Sequence, residues 1–152
     1  MPEKATVERA KRDLRKGKSA STAAGEFVAE EMHHIREGKH GARSAKQAIA
    51  IGLSKARRAG VALDPPKKGR ASAATRKAAK RDATAGAHRL THHTSRKRSR
   101  ATEAALRREP HRAASHRALA AHATHASKQR THAERSASAR KAARTRAREN
   151  SR

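Results

Sequence analysis

Residues 22–60, TAAGEFVAEEMHHIREGKHGARSAKQAIAIGLSKARRAG, decide the fold. Within Thr22–Glu37, Val28, Met32 and Ile35 recur at i, i+4 and i+7, which places them on one face of a helix. Ser21 or Thr22 stands where an N-cap is needed, Glu26 suits the first turn, and Gly38 fits the left-handed stop after the last turn. Gly38-Lys39-His40-Gly41 makes a short connection. Ser44-Ala45-Lys46-Gln47 then has the spacing of a capping box, in which the Ser and Gln side chains satisfy each other's orphan amides. Ile49, Leu53 and Ala56 repeat the same-face spacing, and Gly60 supplies a second stop. Val61 and Leu63 are expected to fold back over the open end of this helical hairpin. Ile51 lies off the apolar face, so it is either exposed or buried by a second surface.

Composition limits what can surround the hairpin. Of the 152 residues, 34% are apolar, but 37 of these are alanine. Only 15 are larger, nine of them between Phe27 and Leu63 and three beyond Pro65. Such a chain buries at most one small core, in its first half. That excludes Rossmann, barrel and sandwich enzymes. With no cysteine there is no disulfide framework, thiolate metal site or cysteine nucleophile. No apolar run approaches the roughly 20 residues of a membrane span. The first residues carry Glu3, Glu8 and Asp13 and no hydrophobic run, which argues against a secretory signal. The expected fold class is mainly α, and the expected location is cytoplasmic and nucleoid-associated.

Charge divides the chain. Lys and Arg total 39 against 13 Asp and Glu, a formal net charge of +26. Residues 1–64 carry 14 basic and 8 acidic residues, and residues 65–152 carry 25 basic and 5 acidic. This predicts a basic lead segment over 1–20, the hairpin module over 21–64, and a low-complexity basic tail over 65–152. Asp64-Pro65-Pro66 is the expected boundary, because two prolines stop a helix. The tail has helix-favouring Ala and Arg but no apolar stripe. It is therefore expected to be disordered in isolation, with partial helix over Ala101–Arg108 and Ala133–Arg148. The hairpin alone is marginal, and a homodimer through the Ile51 side or a bound polyanion would support it.

A tail of 18 arginines and 7 lysines is an electrostatic footprint for polyanions. Each cation that neutralises a phosphate releases a condensed counterion, which drives binding without reading sequence. The candidate nucleic-acid contacts begin with Arg57 and Arg58 at the hairpin's end. They continue through Lys67, Lys68, Arg70, Arg76, Lys77, Lys80 and Arg81. The densest cluster is Arg96, Lys97, Arg98 and Arg100, followed by Arg107 and Arg108. Arg140, Lys141, Arg144, Arg146 and Arg148 close the series. Single-strand binders stack bases on aromatic side chains, and this chain has no Trp, no Tyr and one Phe. Duplex DNA is therefore the favoured partner and RNA the second. The blander reading of the same charge is a solvated surface.

The 11 histidines are the candidates for metal chemistry. His88, His92 and His93 have i, i+4, i+5 spacing, and His122 and His125 have i, i+3 spacing. No carboxylate stands beside them and the neighbouring cations repel a metal ion, so no metal and no cofactor is expected. Glu30 and Glu31 precede His33 and His34, but adjacent residues point to different helix faces, which argues against a paired acid–base site. No nucleophile elbow, P-loop, dinucleotide fingerprint or zincin motif is present, and no enzyme is expected.

Lys46-Gln47-Ala48-Ile49-Ala50-Ile51-Gly52-Leu53-Ser54-Lys55-Ala56-Arg57-Arg58-Ala59-Gly60 resembles the core of a family of small basic bacterial and phage proteins of unknown function. Some of its members carry the label plasmid stabilization protein. Met32-His33 and Gly38-Lys39 are similar to the pair and the loop that precede this core in the family. The family often has Glu where this chain has Lys55, and a longer loop richer in Gly and Ser. The resemblance covers roughly residues 27–63 and implies no chemistry. It admits a second reading, a protein-interaction module of a plasmid-maintenance or phage component; a third is an RNA- or ribosome-associated factor. The tail resembles bacterial histone-like Ala/Arg/Lys-rich tails in composition only.

Overall fold

A computed structural model of the chain describes residues 2–88 and 95–150. It is mainly α, with helices α1 (Lys4–Arg15), α2 (Ala20–Arg36), α3 (Ala45–Arg58), α4 (Ala73–Ala87), α5 (Arg96–Arg107), α6 (His116–Lys128) and α7 (His132–Asn150). A 3-10 turn spans His111–Ala114. The chain divides into two compact units, Met1–Ser115 and His116–Arg152.

The hairpin is α2 and α3, and its ends are set by local chemistry. The cap of α2 is Ser19, whose Oγ accepts from the Thr22 amide at 3.3 Å, rather than Ser21 or Thr22. The helix starts earlier because Ala23 and Ala24 are already fully buried and need a helical turn before them. At the far end Gly38 has φ 76°, the Gly38 amide donates to the Ile35 carbonyl, and that of Lys39 donates to His34. This is a Schellman stop. The same paired bonds close α1 at Gly17 (φ 74°) and α3 at Gly60 (φ 90°). After Gly60, Val61 turns back and is buried against Ala56, the hydrophobic contact that accompanies such a stop. Ser44 caps α3 through the Gln47 amide at 3.2 Å. The Gln47 side chain departs from the expected box, since it accepts from the Arg43 amide at 2.8 Å instead of Ser44.

The core is small and alanine-rich. Phe27 and Ile35 are the two largest apolar side chains fully buried, with Ala10, Ala23, Ala24, Ala56 and Val61 around Phe27. Helices built on alanine can approach closely, and Gly52 takes this to the limit. A Cβ there would lie 2.8 Å from the Val28 Cα, so α3 presses directly on the α2 backbone. Ile51 is half-buried, between the two outcomes its position left open.

The hairpin has more cover than its own residues supply. The lead segment forms α1, which lays Thr6 and Ala10 against α2 and ties Arg9 Nε to Glu26 Oε2 at 2.6 Å. Beyond the Asp64-Pro65-Pro66 turn, α4 packs back on α3 through Ala79, Asp82 and Gly86. Asp82 accepts a hydrogen bond from the Ser54 hydroxyl. At Gly86 a Cβ would sit 1.8 Å from the Arg57 carbonyl oxygen. The stretch around Pro110 closes the loop side. There the Gly41 amide donates to the Leu106 carbonyl at 2.9 Å, Ala42 donates to Pro110 at 3.2 Å, and Ala113 and Ala114 are buried.

The segment expected to be disordered in isolation is helical over most of its described length. Its helices follow alanine and arginine propensity and have caps of their own. Ser72 Oγ accepts from the Thr75 amide at 3.1 Å. Thr131 and Glu134 form a complete capping box ahead of α7, with reciprocal bonds of 2.8 and 3.2 Å. The expected partial helices over 101–108 and 133–148 fall within or next to α5 and α7.

Candidate functional site

Two features of the fold carry chemistry, an exposed basic surface and a buried charge cluster. Most of the predicted phosphate contacts are exposed. Arg58, Lys67, Lys68, Arg70, Lys77, Lys80 and Arg81 all face solvent, and Arg76 is half-buried. On α5, Arg96, Lys97, Arg98, Arg100 and Arg107 are exposed and no residue of the helix is buried. Arg108 is exposed just beyond it. Arg107 holds Glu103 at 2.6 Å, one turn back. On α7, Arg140, Arg144 and Arg148 repeat at i, i+4 and i+8 beside Lys141, and all four are exposed. Arg146 is exposed on another side of the same helix.

Arg57 is the exception. It was expected to extend the basic surface, but it is 8% exposed. Its guanidinium donates to the carbonyls of Leu63 at 3.3 Å and Asp64 at 3.1 Å, fastening the turn after α3. A five-donor guanidinium in the last turn of α3 reaches both carbonyls at once. Of the histidines weighed for metal, His88 and His125 are exposed and His122 is half-buried. His92 and His93 lie outside the described residues.

The cluster missed by sequence reasoning joins α2, the last turn of α3 and the hairpin loop. Glu31 is fully buried and Glu30 is 5% exposed, both on the inward side of α2 with Phe27 and Ile35. Lys55 reaches across from α3, its Nζ 2.6 Å from Glu31 Oε2 and 3.6 Å from Glu30 Oε1. Glu30 Oε2 accepts from the Glu3 backbone amide at 3.2 Å, and Glu3 Oε1 accepts from His34 Nε2 at 2.9 Å. That bond holds the Glu3 carboxyl below its ordinary range, against a smaller opposing effect of desolvation. His40, in the loop, places Nε2 3.3 Å from Glu31 Oε1 and donates from Nδ1 to the Gly41 carbonyl at 3.1 Å. Glu31 and His34 are i, i+3 and share a face, so the acid–imidazole juxtaposition set aside for adjacent residues forms one turn apart. The available signal was phase. Phe27, Glu31 and Ile35 fall at i, i+4 and i+8, putting a carboxylate inside the apolar stripe.

Neither a curated protein nor a solved structure matches the chain. Residues 15–68, from the end of α1 through α2 and α3, match the model of a family of unknown function (DUF6496).

Proposed function

We propose that this chain is a non-enzymatic nucleic-acid-binding accessory protein that coats or bridges duplex DNA through phosphate contacts with little sequence preference. The observation that carries the reading is the α7 stripe of Arg140, Lys141, Arg144 and Arg148, exposed on a helix whose described side chains include none that is buried. Like charges one turn apart destabilise a helix, and a line of phosphates removes that repulsion. The α5 cluster repeats the pattern within the other unit. Arginine's planar fork suits phosphate and minor-groove contact. No aromatic platform accompanies either cluster, which favours a duplex over a single strand. A nucleoid-associated role in maintaining a DNA element agrees with the resemblance of residues 27–63.

The test is binding of a labelled duplex by the full chain, followed by fluorescence anisotropy. Affinity is expected to fall by about 10³-fold or more between about 50 and 200 mM salt, and to be equal for unrelated sequences. Salt-insensitive binding contradicts the proposal. Duplex RNA that competes better than DNA moves the function to RNA.

A further inference from the structure

We propose that Glu31, His34 and His40 form a binding site for a divalent transition-metal ion, with zinc as the reference. Ligand atoms of these three side chains lie within 4.8 Å of one another, and among the described residues no other group of His, Asp or Glu does so. One carboxylate and two imidazoles with a position left open is a donor set for zinc and its neighbours.

The hydrogen bonds around the trio aim it inward. His40 donates from Nδ1 to the Gly41 carbonyl, which turns its Nε2 toward Glu31 Oε1 at 3.3 Å. The two atoms thus point into one space. Glu31 is fully buried and Oε1 has no hydrogen-bond partner. Ligands about 2.0–2.2 Å from one tetrahedral ion stand about 3.3 Å apart, which is the spacing of these two atoms. His34 donates from Nε2 to Glu3 Oε1 at 2.9 Å, the carboxylate backing that orients a metal-binding imidazole.

Charge points the same way. Glu30 and Glu31 place two carboxylates in the interior beside a single ammonium, that of Lys55, 15% exposed, so the interior here holds more carboxylates than permanent cations. The exposed histidines elsewhere have no such field. His33, although adjacent in sequence, is turned to solvent and pairs with Glu37 at 2.9 Å.

The experiment titrates zinc chloride by calorimetry into the EDTA-stripped full chain near neutral pH. A parallel titration uses a full chain carrying His88→Gln, His92→Gln, His93→Gln, His122→Gln and His125→Gln. The quintuple variant is expected to keep one site, which His40→Gln added to it weakens by at least about 10-fold. Absence of a site in the quintuple variant, or unchanged affinity on adding His40→Gln, overturns the proposal. Should His40→Gln fail to fold, His34→Gln in the quintuple background decides. His34 is only half-buried, and its loss leaves two ligands, so zinc should raise the thermal midpoint of this variant by less than it raises that of the quintuple variant. An equal rise overturns the proposal.

Discussion

Lys55→Met is expected to lower the unfolding free energy by about 3–5 kcal/mol, because it leaves an uncompensated charge in the interior. The ammonium it removes lies 2.6 Å from a carboxylate with no exposure to water and 3.6 Å from a second. Neither Glu30 nor Glu31 can turn to solvent, because α1 and α3 close over α2 on both sides. The loss is a large fraction of the total stability of about 5–15 kcal/mol typical of a small domain. Urea unfolding followed by far-UV circular dichroism measures it, the chain having no Trp or Tyr to report by fluorescence. The double change Lys55→Met with Glu31→Leu should recover most of the loss, since a buried ion pair exchanged for apolar groups is often close to neutral. A single-variant loss under about 1 kcal/mol would show that the carboxylates are compensated by something other than Lys55.

Phe27→Ala is expected to cost about 3–5 kcal/mol by the same measurement. Phe27 is fully buried in a cluster with Ala10, Ala23, Ala24, Ala56 and Val61, against which Val7, Leu53 and Leu63 pack. Alanine has no rotamer with which to fill a void, so along the alanine-lined side the cavity shrinks only by moving helices. The close approach of α3 to α2 at Gly52 resists that movement. The transition midpoint should fall with little change in the denaturant slope. A cost near 1 kcal/mol would mean that the helices do collapse, and that the alanine-rich packing is softer than its geometry implies.

The hairpin was legible because its signals are local. Val28, Met32 and Ile35 repeat with helical period, and Gly38 and Gly60 stop the two helices in the left-handed conformation their positions suggested. Ser44 was readable as a cap for the same reason. What covers the hairpin was not readable, because α1 and α4 bind it mostly with alanine, glycine, threonine and Asp82, with Val7 the larger apolar residue among them. Thr6, Ala79 and Gly86 carry almost no hydrophobic signal, yet Thr6 and Ala79 are buried and Gly86 sits where backbone meets backbone. Arg57 was misread for a related reason. A guanidinium that answers free carbonyls after a helix looks, in sequence, like one awaiting phosphate. The Glu31–His34–His40 group depends on a loop returning over its own helix, a long-range placement that spacing along one helix does not report. The basic residues of α5 and α7 were legible as composition, and the helices add only their arrangement in stripes.

The decisive measurement compares the salt dependence of duplex DNA binding for the full chain and for the variant with Arg140→Gln, Lys141→Gln, Arg144→Gln and Arg148→Gln. If these four side chains neutralise phosphates, the slope of log affinity against log salt should become shallower by about three to four. Affinity should also drop alike for unrelated DNA sequences. An unchanged slope, or binding by the full chain that ignores salt altogether, would contradict the account.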